Sequence, residues 1–135
     1  MSLLSLEDRI SPAVFTVTST SDSGPGSLRQ ALIDSNASVG VLDTVTFNIP
    51  TSDPGYHSGP SAYFTIQPSS ALPNVTDPVN INGYTQPGAI PAGTVTPATL
   101  LIELSGASAG PGTAGLTITA GGATVQGVAV NRFGG

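Results

Sequence analysis

The sequence predicts an all-β chain built as a solenoid, on three observations. Gly (17) and Pro (12) together make up about a fifth of the 135 residues, a turn content that suits many short strands rather than a helical bundle. Short runs alternate apolar residues with Thr, Asn, Ser or Gln at period two. An apolar residue, a small polar one and a glycine recur as Ile81-Asn82-Gly83, Leu104-Ser105-Gly106 and Val125-Gln126-Gly127, the glycines 23 and then 21 residues apart, as in one strand set per repeat. A β-sandwich, which also stacks short strands between turns, is the rival architecture.

Taken in order, Val14 to Thr18 is the first strand expected. Gly24-Pro25-Gly26 then forms a turn that ends in Ser27, an N-cap candidate for a helix from Leu28 to about Asn36. Leu28, Ala31, Leu32 and Ser35 share one face of that helix at i, i+3, i+4 and i+7. Gln30, three residues after Ser27, fits a capping box, and Asn36 and Gly40 are exit signals. Strands follow at 45–49, 63–66, 79–82, 100–104, 116–119 and 125–130. Their polar partners are neutral, so they can stack on neighbouring strands without charge repulsion.

Composition excludes whole classes of function. Charged residues are 8% of the chain, Lys is absent, and the cations are Arg9, Arg29 and Arg132 against a net charge of -5. A nucleic-acid partner therefore has no electrostatic footprint. With no Cys there is no disulfide framework, zinc knuckle or thiol nucleophile. No apolar run approaches the roughly 18 residues of a membrane span, so membrane insertion is not expected. Met1 to Leu6 lacks the basic start of a secretory signal.

Few residues are candidates for chemistry. Asp22, Asp34, Asp43, Asp53 and Asp77 are scattered beside turn-forming or small polar residues and read as turn or cap aspartates. Glu103, inside the apolar run Leu100 to Leu104, reads as an outward carboxylate; catalysis would need a second carboxylate or an Arg beside it. His57 with Ser58 and Asp53 is a triad on paper, but neighbours within one loop rarely reach triad geometry. Asp43 and Asp53 are a conceivable calcium pair without the spaced Asp-x-Asp-x-Asp-Gly pattern. Tyr56, Tyr63 and Tyr84 could form a sugar-stacking platform. Asn36-Ala37-Ser38 and Asn74-Val75-Thr76 are formal glycosylation sequons, while Gly110-Pro111-Gly112 and Gly121-Gly122 read as turns without the Lys or helix of a phosphate loop. No catalytic, cofactor-binding or metal-ligating residue is assigned, and no cofactor is expected.

Phe15-Thr16-Val17-Thr18 through Ser27-Leu28-Arg29-Gln30-Ala31-Leu32 resembles the entry segment of bacterial right-handed parallel β-helix proteins, in which a strand pairs with a capping helix. Ile81-Asn82-Gly83-Tyr84-Thr85-Gln86-Pro87-Gly88-Ala89 and Gly115 through Gly134 resemble later segments of the same proteins. Leu6-Glu7-Asp8-Arg9 followed by Pro12-Ala13 is similar to a short motif of large exported planctomycete proteins. The resemblance implies a right-handed parallel β-helix of about three coils, of the pectin lyase-like kind, with one N-terminal capping α-helix. Residues 1–13 would be a leader or linker and 14–135 the capped first part of a longer solenoid. It further implies a non-catalytic structural or adhesin-like module, extracellular or at the cell surface, its signal not in this chain. The alternative is a fragment of a carbohydrate-active β-helix enzyme, lyase- or hydrolase-like. Expected partners are a surface polysaccharide or protein, and a second copy through the C-terminal coil around Val128, Val130 and Phe133.

Overall fold

The computed structural model describes residues 12–93 and 98–134. The expected leader over residues 1–13, with Leu6 to Arg9, lies almost wholly outside the described residues. Eight strands and one helix follow in order: β1 (Val14–Val17), α1 (Leu28–Ala37), β2 (Asp43–Phe47), β3 (Tyr56–His57), β4 (Tyr63–Ile66), β5 (Val79–Asn82), β6 (Ile102–Ser105), β7 (Thr124–Gln126) and β8 (Val128–Asn131). A 3-10 turn, Gly83–Thr85, leaves β5. The first sheet runs β1-β2-β5-β7 and the second β3-β4-β6-β8. All pairs are parallel except β3 with β4, which is antiparallel.

The expected all-β solenoid of three coils is thereby corrected: the architecture is mixed α/β, one helix with a parallel sheet and a mixed sheet. The apparent repeat misled because its triplets alternate between the two sheets, so that only the first and third are register partners. Ile81-Asn82 ends β5 of the first sheet, Leu104-Ser105 ends β6 of the second, and Val125-Gln126 ends β7 back in the first. Actual partners stand at uneven separations: Val14 faces Thr44, Asp43 faces Val79, and Ile81 faces Val125. These separations of 30, 36 and 44 residues share no single period.

The alternation of each strand sends one side inward. Val17, Val45, Phe47, Val79 and Ile81 from the first sheet meet Phe64, Ile66, Ile102 and Leu104 from the second in one buried cluster. Fully burying side chains of this size stabilises by about 1.5–3 kcal/mol each before conformational entropy is set against it. Helix α1 adds Leu28, Ala31 and Leu32 to the same cluster and lies against β1 and β2, as its one apolar face requires.

That helix starts where Ser27 accepts a hydrogen bond from the Gln30 amide at 3.1 Å while its hydroxyl donates to the Gly24 carbonyl at 2.7 Å. The capping box is only half made, because the Gln30 side chain donates forward to Asp34 at 2.9 Å. Arg29 anchors the helix start: it donates to the Asp22 carboxylate at 3.1 Å, to the Ala71 carbonyl at 2.6 Å and to the Ser70 carbonyl at 3.1 Å.

Two strand expectations need correction. Residues 116–119 form no strand; Ile118 makes a single bridge to Val75. The run 125–130 is cut into β7 and β8 at Gly127, whose φ of 72° turns the chain from one sheet to the other. There the Gly127 backbone lies so close to Gly83 that a Cβ on Gly83 would collide with the Gly127 carbonyl. Both positions need glycine.

Candidate functional site

The outward face of the second sheet gathers the chain's only histidine and the one glutamate among the described residues. On β4, Phe64 and Ile66 point inward, so Tyr63 and Thr65 point out. On β6, Glu103 is outward between buried Ile102 and Leu104. Parallel register sets Thr65 beside Glu103 and Ser105 beside Asn131, while the antiparallel pair sets His57 beside Tyr63.

The side chains form a continuous ladder. Thr65 Oγ1 donates to Glu103 Oε1 at 2.7 Å, and Asn131 Nδ2 donates to Glu103 Oε2 at 2.9 Å. His57 Nε2 lies 3.0 Å from Thr65 Oγ1. A threonine hydroxyl has one proton, and Glu103 receives it, so His57 Nε2 is the donor in its contact with Thr65. The His57 ring stacks on Tyr63 with centroids 4.5 Å apart and planes 21° from parallel.

The donors from Asn131 and Thr65 hold the Glu103 carboxyl below the ordinary carboxylate range, against the opposing effect of partial burial; the charges of Arg132 and His57 add to the lowering. Arg132 is the one non-glycine with positive φ among the described residues, at 62°. Its turn folds tightly against Gly106, where a Cβ would run into the Phe133 ring. A left-handed backbone at Arg132 costs about 1–2 kcal/mol, and it brings that residue to the rim. The result is an open cleft of about 210 Å³ lined by His57, Tyr63, Thr65, Gln67, Glu103 and Arg132, among others.

A larger cleft, about 320 Å³, lies between Asn48–Thr51, Tyr56, Phe64 and Gln86–Pro87. It contains no carboxylate, imidazole or guanidinium. Its most buried amide, Gln86, is held at both ends by the Ile49 backbone, accepting at 2.8 Å and donating at 3.0 Å. That amide is a structural clamp, and the ionisable side chains line the smaller cleft.

The paper triad is not assembled. Asp53 accepts from the amides of Thr20 and Gly55 and from the Thr20 hydroxyl, and His57 binds Thr65 instead. Nor do Asp43 and Asp53 form a pair: Asp43 holds the Ala13 amide and the Ser38 hydroxyl. Tyr56 packs on Phe64 at 4.9 Å and Tyr84 lies at Gly127, so the three tyrosines make no common platform. The Asn36 side chain is taken up by the second sequon, donating to the Asn74 carbonyl at 2.8 Å and accepting from the Thr76 amide at 3.0 Å. Glu103 is outward as alternation implies. Sequence reasoning missed Thr65, Asn131 and Gln67, because their meeting depends on registers of 38 and 28 residues that no local pattern encodes. The only available signal was that each is a polar residue within or just after an apolar run.

Chemically, the cleft presents an ionised acceptor, amide and guanidinium donors and a stacked pair of flat rings. Glu103 is the one carboxylate lining it, whereas glycoside hydrolysis ordinarily uses two. Among the described residues no group of three or more His, Asp or Glu side chains is arranged to hold a metal ion, and no helix is long and apolar enough to cross a membrane. No protein-family model, curated protein or solved structure matches the chain.

Proposed function

We propose that this chain is a non-catalytic binding module of a bacterial surface or exported protein, taking a neutral polysaccharide along the outward face of its second sheet. The observation that carries the reading is the ladder His57–Thr65–Glu103–Asn131 beside the Tyr63 ring. Sugar hydroxyls need fixed donors and acceptors, and the apolar face of a pyranose needs a flat partner. The carboxylate keeps unused lone pairs after accepting two bonds, and Tyr63 remains 37% exposed. A net charge of -5 favours a neutral glycan over an acidic one.

The competing reading, a polysaccharide-cleaving fragment, has weaker support. A general acid needs a raised pKa, and Glu103 is held low. Affinity electrophoresis of the full chain through neutral and acidic polysaccharides tests the choice. Retardation by a neutral polymer, weakened by Glu103→Ala and by Tyr63→Ala, with no new reducing ends, is the expected result. Passage through every gel unretarded overturns the binding role. Cleavage abolished by Glu103→Gln replaces it with the enzyme.

A further inference from the structure

We infer that the larger cleft, across the β3–β4 hairpin from the ladder at Glu103, binds a neutral, fused-ring aromatic small molecule. Successive residues of a strand face opposite ways, so Tyr56 and Phe64 line this cleft while His57, Tyr63 and Thr65 line the other. The cleft opens where the chain leaving β2 passes the starts of β4 and β6, and it holds about 320 Å³. An apolar cavity of about 150 Å³ takes up benzene, so this volume accommodates a second ring.

The floor of the cleft is part of the core. Ile49 and Phe64, 2% and 3% exposed, belong to the buried cluster, and Tyr56 packs against it. Pro50, Ala62, Pro87 and Leu101 extend the apolar wall. These walls are fixed by the backbone. Gln86 clamps Ile49, the Asn48 amide donates to the Val17 carbonyl at 2.9 Å, and the Phe64 amide donates to the Leu101 carbonyl at 2.7 Å. The two prolines hold their own φ. A ligand therefore meets a formed site and loses little free energy to ordering it.

The chemistry of the lining selects the occupant. It carries no charge, and the nearest acid in sequence, Asp53, accepts from the Thr20 and Gly55 amides. An ionised ligand would shed its hydration with no opposite charge to meet it, so the ligand is neutral. The Tyr56 and Phe64 rings sit 4.9 Å apart and 44° from parallel, a tilted arrangement in which aromatic rings attract, and a planar ligand extends that pair. A flexible acyl chain gains nothing from ring geometry and loses more rotamer freedom on binding. Among the lining residues, the Asn48 amide side chain and the Thr51 and Tyr56 hydroxyls take no part in the bonds that hold the walls. Such neutral groups can orient one hydroxyl or carbonyl of the ligand. The site is independent of the glycan reading, because the two clefts share no lining residue.

Titration of the isotope-labelled full chain with 2-naphthol at neutral pH, followed by amide NMR shifts, tests the inference. Saturable shifts are expected at Asn48, Ile49, Tyr56, Phe64, Gln86 and Leu101, with half-saturation at about 0.1–1 mM, as a ligand of so few atoms allows. The sulfonate of the same ring system, which carries a fixed negative charge, should bind at least about tenfold more weakly. Ala62→Phe, which fills the cleft, should abolish saturation, and Tyr56→Leu, which keeps an apolar side chain but removes a ring, should weaken binding severalfold. Absence of saturable shifts in the wild-type chain overturns the site. Equal binding of the sulfonate, saturable shifts centred on other residues, or undiminished binding by folded Ala62→Phe each overturns it as well. The comparison of the two naphthalene compounds uses the wild-type chain alone, so it decides the matter even where a variant fails to fold.

Discussion

Thr65 gives its only hydroxyl proton to Glu103, across 2.7 Å, and so dictates which nitrogen of His57 carries hydrogen. One strand-to-strand contact fixes both an ionised acceptor and the donor role of His57 Nε2. Replacing Thr65 by Val keeps the β-branched shape and removes the relay. Long-range nitrogen–carbon NMR correlations should report Nε2–H for His57 in the wild type and a mixture of tautomers in Thr65→Val. The variant should also lose about 1 kcal/mol in urea denaturation, the net worth of one such hydrogen bond. An unchanged tautomer would detach His57 from the ladder.

Acid should weaken the fold only below the ordinary carboxylate range. Glu103 is held low by Asn131 and Thr65, and Asp22 by the Ser69 hydroxyl and Arg29. For Asp53, burial pushes upward, but the Thr20 and Gly55 donors outweigh it. A group whose folded pKa is depressed contributes stability above its unfolded pKa and loses it as pH falls through the folded one. Denaturant midpoints should therefore stay flat from neutrality to about pH 5 and decline below about pH 4. Glu103→Gln should show a shallower decline. A midpoint that already falls between pH 7 and 5.5 would point to other groups.

Gly106 and Gly121 should respond oppositely to alanine. A Cβ on Gly106 meets the Phe133 ring and the Arg132 carbonyl, whereas one on Gly121 meets nothing within 4 Å. Gly106→Ala should cost about 1–3 kcal/mol, as overpacking does, and shift the amide signals of residues 131–134. Gly121→Ala should be neutral or slightly stabilising through the unfolded chain. Equal effects at the two positions would mean that the Arg132 turn is not packed as described.

Self-association is expected through the edges at β7 and β8. These strands end their sheets, and among the described residues nothing pairs with their outer sides. Val130 on β8 is 45% exposed, leaving an apolar edge of the kind that adds strands from another chain. Sedimentation velocity should show a rising weight-average coefficient with concentration, and Val130→Lys should suppress the rise. A wild-type chain that stays monomeric at every concentration removes this surface from consideration.

Much of the local structure was legible, and the assembly was not. The helix could be read from Ser27 and the spacing of Leu28, Ala31, Leu32 and Ser35, because capping and one-sided burial are local. Strands β4 and β5 matched their alternating runs residue for residue. Strand β3 left no trace, since two residues such as Tyr56 and His57 hold no period. The run at 116–119 had the right pattern yet formed only a bridge, because pairing depends on a neighbour in register as well as on composition. The site was half visible: Glu103 and His57 stood out by type, but Thr65 and Asn131 matter only through register. Fold class failed for the same reason, since evenly spaced glycines turned out to punctuate two different sheets.

Parallel pairing across such long separations also governs how the chain reaches its native state. Val14 must find Thr44, Asp43 must find Val79, Phe64 must find Ile102, and Asn80 must find Thr124, 44 residues away. Only α1 and the short hairpin joining Tyr56 to Phe64 can form from neighbouring sequence. Every other pair pays loop-closure entropy before its hydrogen bonds and burial return anything. Refolding should thus be slow for so small a chain, on the order of milliseconds to seconds or longer. Until β5 docks between β2 and β7, the Val- and Ile-rich strands stand unpaired, and the newly made polypeptide spends that interval open to capture by its own copies.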